Sequence, residues 1–332
     1  MLRQSAILIF AVLVGLFACK GKQDKLSSTS ISEIVTAIAK TNVLMGSAVG
    51  IAGERPKQWD RYEALHSKAT DKELLALTND TNSVVRCYAV QALAERKKID
   101  LFPVALRHLS DTALVHTLYG CWGGSQKVGD FFLETITEKS GDDKISRLSE
   151  KQRAIIDSLL LFDSGNKLEA RDKLLSEIQP LEKYYTRIRQ IATEENDKMA
   201  IVTLSKYRKQ QDKPLIGQLL KDPISQRYGF ASVVNFPDAS FFPVLQQTLR
   251  NEVTKDNGNH DERLQLLYQA IVQYKDQPSR QLLQSVLNET KGMQSIYHKD
   301  YLHQALTKYP ATIYGGLLKP IYSGIPIEKS GT

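Results

Sequence analysis

Short amphipathic segments separated by polar breaks are the clearest pattern along the chain. Residues 71–77 and residues 83–94 carry apolar side chains at helical spacing, with the polar break Asn79-Asp80-Thr81 between them. Apolar positions that recur every three to four residues predict helices. Nowhere does a β-branched alternation flanked by turns predict a strand. The pattern therefore predicts an all-α fold in which the helices come in pairs.

The same pattern returns 31 residues further along the chain. Residues 101–106 begin a helix, Ser110-Asp111-Thr112 breaks it, and residues 115–121 are expected to form the second helix. Asp111 aligns with Asp80 in this comparison. A self-similar period of this length is typical of repeat architectures.

Asp80, Val85 and Arg86 stand where the short bacterial HEAT repeat has an Asp that ends the first helix and a Val-Arg pair that enters the second. The segment thus resembles the HEAT-repeat family, although His116-Thr117 departs from the Val-Arg pattern. The resemblance implies an α-solenoid, in which each helix pair packs only on its neighbours. A non-repetitive helical bundle is the alternative.

Asp80 and Asp111 are expected to have a structural role. A carboxylate between two helices can accept hydrogen bonds from the free N–H groups of the next helix. Arg86 is expected to pair with the Asp of a neighbouring repeat.

Weaker copies of the helix pair continue through the chain. Proline suits the first turn of a helix, so Pro103, Pro214, Pro243 and Pro278 are predicted to begin first helices. The matching second helices are predicted at residues 225–235, 261–275 and 295–308. Further helices are predicted at residues 145–162, at 168–178 and after Pro180.

The N-terminal segment has the features of an export signal. Arg3 precedes the apolar run 6–17. A stable transmembrane helix needs roughly 20 apolar residues, so this run is too short and fits the core of a signal peptide. An ordinary cleaved signal and an uncleaved anchor remain the alternatives at this point.

Leu16-Phe17-Ala18-Cys19 resembles the lipobox of bacterial lipoprotein precursors, with Phe17 in place of the usual small residue. The resemblance implies cleavage after Ala18 and lipidation of Cys19. The polar, Lys- and Ser-rich segment that follows is predicted to be a flexible tether. Lys20 stands where many inner-membrane lipoproteins have Asp, so by analogy the outer membrane is the expected location, facing the periplasm or the surface.

The predicted organisation has five parts. They are a signal peptide at 1–18, a lipidated cysteine and tether at 19–30, N-terminal HEAT-like repeats at 31–130, an irregular helical segment at 131–200 and C-terminal HEAT-like repeats at 201–332.

Charge and histidine spacing argue against several kinds of partner. The 44 basic residues nearly balance 37 acidic ones, which gives a net charge of +7 without a dense basic stripe, so nucleic-acid binding is not expected. His298 and His303 are five residues apart, whereas metal ligands on one helix face are usually spaced by three or four. No metal or cofactor is therefore predicted.

Gly120-Cys121-Trp122 shares a Cys-Trp pair with the nucleophile segment of papain-like proteases. The β-rich second half of those enzymes is not predicted here, so Trp122-Gly123-Gly124 is expected to be a helix end. Neighbouring helix axes lie about 8–10 Å apart, further than the Cα separation of about 4.4–6.8 Å in a disulfide, so Cys87 and Cys121 are expected to be buried, unbonded thiols, with a disulfide between them as the alternative. The sequence predicts a non-enzymatic, membrane-anchored scaffold that binds protein partners in the cell envelope. A structural component of an envelope assembly and a hydrolase that uses Cys121 are the alternatives.

Overall fold

The computed structural model describes residues 29–137, 148–163, 166–254, 262–290 and 292–317. Within these ranges the chain forms sixteen α-helices and one three-stranded sheet, which confirms the prediction of a mostly helical chain. The chain divides into two compact units, Met1–Arg171 and Asp172–Thr332. The predicted signal peptide and Cys19 lie outside the described residues.

The first unit contains most of the non-helical structure. Its helices are α1 (Ile31–Thr41), α2 (Lys57–Lys68), α3 (Asp71–Leu77), α4 (Ser83–Arg96), α5 (Phe102–Arg107), α6 (Val128–Thr137) and α7 (Glu150–Phe162), and α8 (Glu169–Glu177) continues into the second unit. Its strands are β1 (Leu44–Val49), β2 (Leu114–Gly120) and β3 (Trp122–Lys127).

Helix α4 is the core of the first unit. Its buried side chains lie on nearly all sides of the helix, and α1, α2, α3 and α6 all pack against it. A helix that is apolar all round is stable only when it is surrounded. From this helix Tyr88 Oη accepts a hydrogen bond from Met45 N and donates one to Met45 O, both at 2.9 Å. Tyr88 therefore fixes β1 to the core.

The sheet contradicts the prediction that strands are absent. Its order is β1-β2-β3, with β1 parallel to β2 and β2 antiparallel to β3. Residues 115–121, expected to be a helix, form most of β2 and the turn after it. Val115, Thr117 and Tyr119 alternate along β2, and β-branched and aromatic residues suit a pleated strand. Pairing with β3 along the whole strand overrides the helical pattern of the preceding repeat.

The second unit is a succession of helix pairs. Its helices are α9 (Glu182–Glu194), α10 (Lys198–Ser205), α11 (Lys213–Lys221), α12 (Gln226–Asn235), α13 (Phe242–Val253), α14 (Glu262–Ile271), α15 (Gln277–Glu289) and α16 (Gly292–Lys308). Helices α10, α12, α14 and α16 contact one another in chain order, and each also packs on the helix before it. Proline lies in the first turn of α5, α11, α13 and α15, as predicted.

Candidate functional site

Arg86 is the centre of a polar cluster at the start of α4. Its Nη1 donates to the carbonyl oxygens of Asp80 at 2.7 Å and Thr81 at 3.0 Å. Its Nη2 donates to Asp111 Oδ1 at 3.3 Å, and its Nε makes an ion-pair contact of 3.0 Å with Asp111 Oδ2. The guanidinium thus joins the turn before α4 to the turn after α5.

The cap of α4 differs from the expectation. Asn82, rather than Asp80, caps the helix: its side-chain oxygen accepts from Val84 N and Val85 N. Asp80 Oδ1 instead accepts from Asn82 N at 2.8 Å, which shapes the turn. Two residues separate Asp80 from the first helical turn, so its carboxylate supports the cap without being the cap.

His108 completes the polar cluster. Its Nδ1 lies 3.3 Å from Asp111 Oδ2, and its ring packs against Phe132 with centroids 4.3 Å apart. Burial lowers the pKa of His108, although Asp111 acts in the opposite direction. Loss of hydration disfavours the charged imidazole, and the nearby Arg86 guanidinium acts in the same direction. The cluster of Arg86, Asp111 and His108 therefore has the properties of a structural ion pair with a neutral histidine beside it.

Cys87 and Cys121 lie in opposite environments. Both are free thiols, Cys87 buried in α4 and Cys121 exposed in the turn between β2 and β3. The expectation of two buried thiols is therefore wrong for Cys121, because residues 120–124 belong to a hairpin instead of a helix end. Burial raises the pKa of Cys87 well above its usual range, which makes this thiol a poor nucleophile.

In the described part of the chain, histidines that could act as a base for Cys121 form hydrogen bonds with other residues. His116 Nδ1 lies 2.7 Å from Ser125 Oγ. His298 is buried in the second unit and bonds Tyr268 Oη at 2.7 Å, while His260 lies outside the described residues. Among the residues described, no hydrogen bond joins Cys121 to a histidine, so no thiol–imidazole pair is present there.

Two loops meet at one end of the sheet, and we call them the sheet tip (residues 50–53 and 119–122). Gly50 N donates to Gly120 O at 2.9 Å, which joins the loop after β1 to the β2–β3 turn. Gly50 and Gly120 both have positive φ, at 72° and 56°, a conformation that glycine adopts at little cost. The tip exposes Ile51 at 99% and Trp122 at 83% of their full surface.

A second apolar surface lies on α7. Ile155, Leu159 and Phe162 are 37–52% exposed, and their spacing of four and three residues puts them on one face of the helix. Ile156, Leu160 and Leu161 are buried on the other side. We call the three exposed residues the α7 stripe. Exposed apolar stripes of this spacing are a common way for helices to bind partners.

Sequence reasoning missed both surfaces, although part of the signal was visible. The Cys-Trp pair at Cys121-Trp122 is visible in the sequence, but the pattern predicts a helix end there. The α7 stripe follows from the period of residues 150–162, and only the structure decides which apolar face of such a helix is covered. Exposure depends on the neighbours of a side chain, and these are not encoded in local sequence.

Other kinds of site are not found in the described ranges. There, no group of three or more His, Cys, Asp or Glu side chains is arranged to hold a metal ion. No helix in these ranges is long and apolar enough to cross a bilayer. Comparison of the chain with protein families, curated proteins and solved structures found no match.

Proposed function

We propose that the chain is a bacterial lipoprotein whose helical body is a scaffold for a protein partner at the cell envelope. In this proposal the chain is cleaved after Ala18 and lipidated at Cys19, so that the body is held at a membrane, most simply the outer membrane. The lipobox-like segment Leu16-Phe17-Ala18-Cys19 supports this part.

The body is proposed to be a solenoid of HEAT-like helix pairs. Successive packing of α10, α12, α14 and α16 supports this interpretation. So does a recurring bond from a basic side chain to an aspartate 23–25 residues later in the chain, in the pairs Arg86–Asp111, Arg189–Asp212 and Lys213–Asp238. In repeat architectures each helix pair is stabilised by contacts with its neighbours, and these bonds are contacts of that kind.

The observation that favours a partner-binding role is the α7 stripe. Its three apolar side chains are separated by a turn or nearly a turn, so they offer a continuous strip to another surface. An amphipathic helix or an apolar groove on a protein partner is the complementary chemistry. Covering the stripe removes apolar area from water, at about 25 cal/mol per Å2.

The lipid anchor is tested by intact mass and detergent partitioning of the protein from its own host. We expect the wild type to lose residues 1–18, to gain acyl mass and to enter the detergent phase, whereas Cys19→Ala does none of these. Two variants that both remain unacylated in the aqueous phase would contradict the anchor.

The scaffold role is tested by pull-down from solubilised envelopes. We expect Leu159→Glu to lose a stoichiometric partner that the wild type retains, because a buried carboxylate in an apolar interface is strongly disfavoured. Ile224→Glu is the matched control, since it places the same charge on an exposed apolar residue that lies in the second unit. Equal recovery with all three proteins would show that the α7 stripe is not the binding surface.

A further inference from the structure

We infer that the sheet tip inserts into the interface of a phospholipid bilayer. The tip lies at the boundary between the headgroups and the acyl chains, and Ile51 and Trp122 are the inserted side chains. This inference adds a second membrane contact to the one proposed at Cys19, and it draws on the proposed function only for the nearness of a membrane.

The first argument is that the two segments that form the tip carry no charge, which resumes only at Glu54, at the base of the loop that carries Ile51. Residues 41–53 and residues 112–126 contain no Asp, Glu, Lys or Arg. At the chain's average of 24% charged residues, these 28 positions would carry about seven. Both segments are mostly strand and turn, so the uncharged positions come together in one sheet. Inserting such a surface therefore avoids the large cost of placing a charge in a bilayer.

The second argument is the type and position of the exposed side chains. Tryptophan and tyrosine are enriched at membrane–water interfaces, where one end of the ring meets apolar chains and the other meets water. Trp122 directly follows the turn, and Tyr119 lies on the strand before it with its ring over Gly46. Ile51 adds an aliphatic side chain from the neighbouring loop, so the tip carries both aromatic and aliphatic anchors.

The third argument is that the tip is held in shape before it meets a membrane. Val49 and Glu54 exchange two backbone hydrogen bonds of 2.8 Å, which close the loop that carries Ile51. The bond from Gly50 N to Gly120 O joins this loop to the turn that carries Trp122. Preorganised loops lose little conformational entropy on binding. The two loops that carry the exposed side chains thus stay joined without a ligand.

Charge and chain length favour a membrane over a second copy of the chain. The net charge of +7 attracts the chain to anionic lipid and disfavours the approach of an identical chain. Nine residues separate Cys19 from Thr29, where the described part begins, and the ten Cα–Cα steps between these two residues span at most about 35 Å. A compact unit of this length has a radius of gyration of about 15 Å, so a lipidated Cys19 leaves the tip within reach of the same bilayer.

The test uses Trp122 as its own reporter. The chain has two tryptophans, Trp59 and Trp122, so Trp59→Phe leaves Trp122 as the single fluorophore. The full chain purified from its host is reconstituted with vesicles of phosphatidylcholine and phosphatidylglycerol, with or without bromine on the acyl chains. We expect the Trp122 emission to shift to shorter wavelength on vesicles and to be quenched by the brominated lipid.

Two controls make the result specific to the tip. Trp122→Phe leaves Trp59, which packs against Tyr62 with ring centroids 4.7 Å apart, and its emission is expected to be unaffected by bromine. In the Trp59→Phe background, Ile51→Ser is expected to shift the insertion equilibrium about tenfold towards the free tip. Ile224→Ser, which changes an isoleucine that is also highly exposed, is expected to leave the quenching unchanged.

The outcomes separate this inference from the lipid anchor. Quenching of Trp122 in a chain that carries no acyl group supports the tip and contradicts the anchor. An acylated, vesicle-bound chain in which bromine does not quench Trp122 overturns the tip and leaves the anchor standing. A blue shift of Trp122 that depends on protein concentration, without vesicles and without bromine quenching, assigns the tip to a second copy and overturns the inference.

Discussion

The carboxylate of Asp111 lies 3.0 Å from the guanidinium of Arg86, and both side chains are more than four-fifths buried. This contact joins the start of α4 to the turn after α5. It accompanies two hydrogen bonds from the same guanidinium to backbone carbonyls of residues 80 and 81. The pair therefore fixes the loop on which the central helix of the first unit begins.

Arg86→Leu is expected to lower the free energy of unfolding of the first unit by about 3 kcal/mol, because it removes the cationic partner of the buried Asp111 carboxylate and the donor to two backbone carbonyls. Urea unfolding followed by tryptophan fluorescence measures this change, since Trp59 and Trp122 both lie in the first unit. Arg55→Leu is the matched control. Arg55 pairs with Asp60 and Glu63 on the surface, and such pairs contribute about 0–1 kcal/mol. Equal effects of the two substitutions would contradict a special role for Arg86.

Much of the helical organisation could be predicted, because helix starts are encoded locally. Pro103, Pro214, Pro243 and Pro278 mark first turns as predicted, and residues 71–77 form a helix with the predicted bounds. Proline and capping residues act within one turn of their own position. They are therefore readable in a single sequence.

Two of the three strands could not be predicted in the same way, whereas β2 carries the local alternation of Val115, Thr117 and Tyr119. β1 has the sequence Leu44-Met45-Gly46-Ser47-Ala48-Val49, which lacks a β-branched alternation. It is fixed as a strand by Tyr88, 43 residues away, and by parallel pairing with β2. β3 contains Gly123 and Gly124 and depends on its hairpin partner. Strand formation here depends on tertiary partners, so the sheet tip was not predictable either.

Acid sensitivity is expected at the contact between Lys213 and Asp238. The Lys213 ammonium, 2.9 Å from Asp238 Oδ2, and the Ser240 donors lower the pKa of Asp238 to about 2. A lowered pKa means that the contact stabilises the folded state above pH 4. That stability is lost as the pH falls towards 2. The contribution is about 1 kcal/mol, because the pair is partly open to solvent.

Asp238→Asn and Lys213→Met are expected to lose this contribution and to flatten the pH dependence of stability between pH 2 and pH 4. Thermal unfolding followed by circular dichroism at a series of pH values measures it. If the wild type and both variants respond identically to acid, the contact contributes nothing to the stability of the folded state.

The two body thiols are expected to react at very different rates. In the folded Cys19→Ala protein, Cys121 is exposed whereas Cys87 is buried, and burial also raises the pKa of Cys87. Ellman's reagent should therefore modify one thiol rapidly and the second only after denaturation, because the thiolate is the reactive form. Cys121→Ser should abolish the fast phase. A fast phase that persists in this variant would mean that α4 opens readily.

Gly129 and Gly217 both lie inside helices, yet alanine is expected to have opposite effects at the two positions. A Cβ atom at Gly129 in α6 would lie 2.6 Å from the carbonyl oxygen of His108 and 2.9 Å from Leu168 Cδ2. Because a backbone carbonyl cannot move aside as the end of a flexible side chain can, Gly129→Ala is expected to destabilise the first unit by about 1–3 kcal/mol.

A Cβ atom at Gly217 in α11 would meet nothing within 4 Å, so Gly217→Ala should stabilise the second unit by about 0.5–1 kcal/mol. Chemical denaturation of the two variants beside the wild type measures both changes. An unchanged stability of Gly129→Ala would contradict the close approach of α6 to the turn at His108 as the reason for glycine there, and a loss of stability in Gly217→Ala would contradict the open space at that position.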